Sequence, residues 1–369
     1  MTTIRSPNTV LANSLDHALH ILRPRIEINK PEEIIFSVGT QINGIPHIGT
    51  YIVQCASFIL ARETRKMYGI DTSVEFGALD NAPHDIVKSA SGYAYQRNYY
   101  HALSQEALRR LIETYYTSFF GGLQELTEVP YASIAYSETQ HSPDFRRVFL
   151  KTLESAEMLR WCVSPSQGNL RIRIPCPKCH YAEKYSERTK LLHCDEHTAC
   201  FRCMCLKHGV YDAAITADGR DDVYLDLNTV YRNVVKEAVC SERSGKLYVM
   251  VKGGDSVFST QMVDWALGVL GYSAIQTPMR IFTPQVVTET GAKLSKSLIR
   301  EGDVTLEEVP EWILDMGKFA ENNPDYIEYV IWLVEQFLSH PRHMYRSYTY
   351  QEIIRILKSR QGNQENVKE

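Results

Sequence analysis

Apolar and polar positions follow two rhythms along the first half of the chain, and the rhythm changes at short intervals. "EIIFSV" is a continuous apolar run of strand length. Ile48, Ile52, Cys55 and Ile59 then recur at helical spacing, with Gln54, Glu63 and Arg65 on other faces, and Gly69 stands where such a helix should stop. In "TSVEFGAL", Val74, Phe76 and Ala78 alternate as in a strand. Strand, long helix, strand describes a right-handed crossover and predicts a parallel sheet.

The same reading predicts a helix over 103–120, a strand at "YASIAY" and a helix over 143–160. Between about 165 and 215 the apolar periodicity disappears, and cysteines, histidines and charged residues crowd in. It resumes with "KLYVMV" as a buried strand. Phe258, Met262, Val263, Ala266, Leu267 and Leu270 then form a helix face, and "RIFTPQVV" reads as a further strand. Beyond 305 the chain turns helical, notably at "DYIEYVIWLVEQFL", and it ends in the polar tail "QGNQENVKE". The predicted fold is α/β, a doubly wound, Rossmann-like parallel sheet. Residues 1–165 and 216–305 form the two halves of its nucleotide-binding unit, 166–215 an inserted module, and 306–369 a short C-terminal helical region with a polar tail.

Composition changes little in this picture. A chain of 369 residues with net charge −4 has no global basic field to attract nucleic acid, although a local patch is compatible with that value. The start of the chain lacks the apolar core of a signal peptide, and no apolar run reaches the ~18 residues of a membrane helix. The expectation is a cytoplasmic protein that keeps clear of the membrane.

Cysteine usage changes more. Cys55, Cys162 and Cys240 stand singly, whereas the other six of the nine fall between positions 176 and 205. Such a tight cluster in a cytosolic chain points to metal rather than disulfides. "CPKC" (Cys176, Cys179) sets two thiolates at a spacing that suits one tetrahedral zinc. The partner knuckle has three forms: "CLKH" (Cys205, His208), followed by Gly209; "CFRC" (Cys200, Cys203); and "CDEH" (Cys194, His197). The preferred set is Cys176, Cys179, Cys205 and His208, with Cys203 the first substitute. Four protein ligands leave no open position, so the role read here is structural, in a zinc-ribbon-like module.

Two further segments carry chemistry. "GTQINGIPHIGT", residues 39–50, lies where the first strand gives way to its helix. Glycines there allow close backbone approach, the helix start offers unpaired N–H groups to an anion, and His47 adds a donor. The bland alternative is a glycine-rich turn in which His47 only caps. "TETGAKLSKSLIREGD", residues 288–303, follows the last predicted strand and sets Lys293 and Lys296 where both reach one polyphosphate. A solvated basic loop is the alternative there.

Together, "HIGT" and "KLSKS" resemble the HIGH and KMSKS signatures of class I aminoacyl-tRNA synthetases, in the same order and the same strand contexts. The stretch "GTQINGIPHIGTYIVQCASFILARETRKMYG" and the region "LYVMVKGGDSVFSTQMVDWALGVLGY" are similar to class I lysyl-tRNA synthetases, a resemblance spanning about residues 33–320. It implies ATP-dependent activation of an amino acid, lysine or an analogue, with Mg2+ accompanying ATP and Zn2+ in the insertion. His47, Lys293 and Lys296 would be catalytic. Gly44, Gly49, Thr50, Gly253, Gly254, Asp255, Ser295 and Ser297 would complete the ATP site. Gly39, Gln41, Asp80 and Asp226 would serve the amino acid, a lysine ammonium requiring a carboxylate or an aromatic face.

Two departures qualify the resemblance. The tryptophan-rich segment of the lysyl enzymes reads "YLDLNTVYRN" here, and only about seventy residues follow "KLSKS", too few for that family's anticodon-binding domain. The acceptor is therefore expected to be the acceptor end of tRNA or a small molecule in a biosynthetic ligase. A non-catalytic nucleotide- or RNA-binding relative and a nucleotidyltransferase on the same fold are the other readings.

Overall fold

The computed structural model describes residues 14–294, 309–344 and 346–365. At its centre is a five-stranded parallel sheet made of β1 (Glu33–Gln41), β2 (Asp71–Leu79), β3 (Tyr131–Ala135), β4 (Lys246–Gly253) and β5 (Met279–Thr283). Their spatial order is β5-β4-β1-β2-β3. β1 is central, with Phe36 opposite Val74 on one side and Val249 on the other. A strand buried on both faces needs apolar side chains on both, which is why "IIF" is unbroken.

The sheet is covered on both sides. Ile34, Phe36, Val38, Leu247, Val249 and Val251 face one core, shared with α2 (Ile48–Tyr68). Ile35, Tyr248 and Met250 face the other way, onto Cys240 of α3 (Thr229–Glu242). Each fully buried Phe or Ile of this kind contributes about 1.5–3 kcal/mol. α2 ends as expected: Gly69, at φ +65°, donates its N–H to the Arg65 carbonyl at 2.9 Å. An N-terminal helix, α1 (Ser14–Asn29), not anticipated from the sequence, lays Leu19 and Leu22 on the α2 side of the core.

Several elements differ from expectation for identifiable reasons. The helix expected over 103–120 runs from Gln105 to Thr127 and passes through a π-helical turn at Glu113–Thr117. The one expected over 143–160 is two helices, Pro143–Glu154 and Ala156–Val163, parted at Ser155, which leaves helical geometry at φ −104°, ψ 18°. "RIFTPQVV" divides at Pro284, which has no N–H for a sheet ladder. β5 lies before it, and Val286–Val287 lies after it, paired with Tyr348–Thr349. Phe258, expected on the buried face of α4 (Val257–Val269), is 70% exposed, whereas Val263, Ala266 and Leu267 are buried as expected.

The cysteine-rich stretch folds as a three-stranded antiparallel sheet of Lys190–Cys194, Thr198–Cys205 and Gly209–Thr216. Ala199, Phe201, Cys203 and Ile215 of this sheet share one core with Phe149, Tyr231 and Val235. Among the described residues no helix is long and apolar enough to cross a membrane.

Candidate active site

The order β5-β4-β1-β2-β3 reverses direction between β1 and β4, and in open parallel sheets the crevice at the carboxyl ends of such a strand pair is where ligands bind. The cleft here is built from the end of β1, the first turn of α2, the end of β4 and one face of α3. The fifth contribution is the hairpin after Pro284. Thr288 and Ala292 close its turn, and Val287 bridges to Lys293.

His47 is the N-cap of α2, and its Nδ1 accepts the Gly49 N–H at 3.1 Å. In the neutral ring this places the proton on Nε2, so the histidine caps with one nitrogen and is a donor with the other. The cap itself uses Nδ1 alone. It also explains Gly49: a Cβ there would stand 2.9 Å from His47 Cε1 and 3.1 Å from Nδ1, displacing the ring. A Cβ added at Gly49 would also lie 3.7 Å from a methyl of Val286, so the late hairpin stands beside the glycine turn, and both line the cleft. Leu294 N–H donates to the Val286 carbonyl at 2.9 Å, which fixes the arm carrying Lys293. Lys293 Nζ is ion-paired with the Asp255 carboxylate, and both line the cleft.

Of the expected site residues, Gly39, Gln41, His47, Gly49, Thr50, Gly253, Asp255 and Lys293 line this single cleft. Ser295, Lys296 and Ser297 lie outside the described residues. Four others stand elsewhere. Gly44 bends the turn at φ +133° and Gly254 packs beside the Thr283 carbonyl; neither lines the cleft. Asp80 is buried and accepts from the Ser137 N–H and the Tyr224 hydroxyl, both at 3.1 Å, with burial pushing its pKa up to about 6. Asp226 is held by Arg173 through two bonds of 2.8 Å and by Asn81 at 3.0 Å. Both carboxylates are committed to protein donors, and neither lines the cleft.

The charged face of α3 was not singled out in the sequence. Arg232, Lys236 and Glu237 all line the cleft. Lys236 Nζ pairs with Glu75 at 3.0 Å and donates to Ser37 Oγ at 2.9 Å. Burial alone would raise the pKa of Glu75, but Lys236, with Arg243 and Ser37, outweighs it and the value is lowered. Glu237 is engaged by Lys252 at 2.9 Å and by Arg280. The available signal was "YRNVVKE", where charges four residues apart interrupt an otherwise apolar helix.

A second constellation lies in the inserted module. The ligand atoms of Cys176, Cys179, Cys205 and His208 all fall within 4.8 Å of one another. Cys179 Sγ is 3.4 Å from Cys205 Sγ, and His208 Nδ1 is 3.5 Å from both Cys176 Sγ and Cys205 Sγ. Zinc bonds of about 2.3 Å to sulfur and 2.0–2.1 Å to nitrogen imply tetrahedral edges of roughly 3.5–3.8 Å, so the donor set fits. Each knuckle ends in a left-handed residue, His180 (φ +61°) and Gly209 (φ +73°). The Lys207 N–H donates to Cys205 Sγ at 3.4 Å. Cys203 is buried outside the set, and burial raises its thiol to about 12.

No family model matches the chain, and no curated protein matches its sequence. Among solved structures it is similar to the Mycobacterium tuberculosis methionyl-tRNA synthetase in complex with methionyl-adenylate, at 14% identity and a TM-score of 0.42, covering 87% of this chain and 67% of that one. It is also similar to a Campylobacter jejuni protein described as an arginyl-tRNA synthetase, at 10% identity and a TM-score of 0.34, covering 92% and 72%. At these values the likeness carries no weight for activity or substrate.

Proposed function

We propose that the protein activates an amino acid with ATP. The carboxylate attacks the α-phosphorus, the bond to the β-phosphate oxygen breaks, and pyrophosphate leaves. The resulting acyl adenylate then acylates a hydroxyl or amine, releasing AMP. The observation that supports this most is that the His47 turn and the Lys293 hairpin meet across one crevice at the switch point of the sheet. The start of α2 and His47 would receive the phosphates, with Lys293, and Lys296 beyond it in sequence, at the developing pyrophosphate charge. Catalysis of this kind needs positioning and charge stabilisation rather than a general base.

Magnesium would travel with the triphosphate. The cleft carboxylates Glu237 and Asp255 are each already paired with a lysine, which leaves the metal to the phosphate oxygens. The same pairing argues against lysine as the acid, since neither carboxylate is left to neutralise a substrate ammonium. Zinc would hold the insertion through Cys176, Cys179, Cys205 and His208. The acceptor would be the end of a tRNA or a small molecule.

ATP–pyrophosphate exchange against the standard amino acids and common analogues, with and without total tRNA, tests the reading. Exchange dependent on one amino acid is expected; a dependence on tRNA would name the acceptor. No exchange with any acid, while ATP still binds, would leave a nucleotide-binding protein without this chemistry.

A further inference from the structure

Four cations line the main cleft among its described residues: Arg232, Lys236, Lys252 and Lys293. Three have a carboxylate partner, Glu75, Glu237 and Asp255 respectively. Arg232 has none among the described residues. It is 5% exposed, its Nη1 donates to the neutral amide oxygen of Asn81 at 3.0 Å, and its guanidinium lies 5.7 Å from the centre of the Tyr136 ring. Asn81 is itself fixed by donating to Asp226 and to the Leu227 carbonyl. The guanidinium is thus held in place without being neutralised.

Its surroundings add to the imbalance. Arg232, Gln41 and Thr229 also line an adjoining pocket that includes Arg171 and Arg173 and no acidic side chain. Arg173 takes up both oxygens of Asp226, and Arg171 has no carboxylate partner among the described residues. Burial pushes the Arg232 pKa down; Tyr136 and the Asp226 carboxylate, itself taken up by Arg173, oppose that only in part, and Arg173 adds to the lowering. An uncompensated buried cation is costly, and an anion brought into the cleft relieves that cost, whereas a cation there increases it.

We infer that the acid activated in this cleft carries a second anionic group, a side-chain carboxylate, which the guanidinium of Arg232 receives. The inference rests on the acid-activating reading of the cleft and narrows it to a substrate class opposite in charge to lysine. Guanidinium and carboxylate match as a two-pronged pair, and the Asn81 bond leaves the remaining N–H groups of Arg232 for that pairing.

The test uses the full chain with L-glutamate, L-aspartate and L-2-aminoadipate as anionic probes, L-lysine and L-ornithine as cationic ones, and L-norleucine as a neutral one. Binding is measured by calorimetry and activation by pyrophosphate exchange. An anionic probe is expected to bind and to exchange. Arg232→Gln, whose amide can still donate to Asn81, is expected to raise its KM about 100-fold or more, with the KM for ATP unchanged and kcat changed far less. Arg232→Lys should recover part of the loss. Unchanged thermal unfolding of both variants separates recognition from folding. Preference of the wild type for a cationic or neutral probe, binding of none of them, or an effect of Arg232→Gln on the ATP KM instead overturns the inference. Exchange with lysine would sink this inference and leave the activation reading standing. Arg232-dependent binding of glutamate without exchange would sink the activation reading and leave only the recognition of an anionic side chain by Arg232.

Discussion

Removing metal from the Cys176–Cys179–Cys205–His208 cluster is expected to unfold the inserted module and to lower the melting temperature of the whole chain by more than about 10 °C. Metal binding to such a donor set is itself folding free energy, on the order of 10 kcal/mol apparent at neutral pH. The loss cannot stay local, because Ala199, Phe201 and Ile215 of the module share a core with Phe149 and Tyr231 outside it. Cys205→Ser should therefore abolish stoichiometric zinc and destabilise the protein as strongly as a chelator does. Cys203→Ala, outside the donor set, should retain zinc and lose only a few kcal/mol of packing. Metal content by atomic spectroscopy and melts with and without chelator decide it. A zinc-free protein whose melting does not respond to chelator would remove the metal from the account.

His47→Ala is expected to slow pyrophosphate exchange 100- to 1,000-fold, on the order of 3–4 kcal/mol of transition-state stabilisation. The stability cost should be only about 1 kcal/mol, the value of a helix cap. His47→Asn separates the two roles. Its side-chain oxygen can accept the Gly49 N–H in place of Nδ1, so stability should recover while exchange stays slow. If exchange recovers with stability, His47 acts only as a cap.

The sequence disclosed these segments unevenly, and the reasons are local. β1 and β4 were legible because strands buried on both faces are apolar in long runs, β2 because Val74, Phe76 and Ala78 alternate, and α2 because its buried stripe and terminal glycine are set by its own residues. The break in "RIFTPQVV" was signalled by Pro284 alone, and the apolar run on both sides of it masked the signal. The hairpin of Pro83–Lys88 and Ala94–Asn98 was not anticipated, since its strands are held by pairing and by contacts such as Arg97 with Asp85 rather than by apolar alternation. Phe258 reads as core by spacing, yet stands over the pocket beside Arg232, a position that depends on where α4 meets the rest of the chain.

The candidate site shows the same division. His47, Gly49 and Lys293 carry short, recognisable patterns; spacing singled out Cys176 and Cys179 but left three partner knuckles, of which the fold brings Cys205 and His208 to them. Asp80 and Asp226 were chosen as acids without sight of Ser137, Tyr224 and Arg173, the distant residues that occupy them. Arg232 was overlooked for the converse reason. Its significance is the lack of an acidic partner among the described residues, and a partner can be counted only after folding brings the chain together.

The account depends on one nucleotide being held between the start of α2 and the late hairpin. Amide hydrogen–deuterium exchange with and without saturating Mg-ATP measures that directly. Slower exchange is predicted in residues 39–54 and 285–294 together, and Gly49→Ala, which displaces the His47 ring, should abolish it in both. Protection confined to one of the two segments, or falling in neither, would contradict the account.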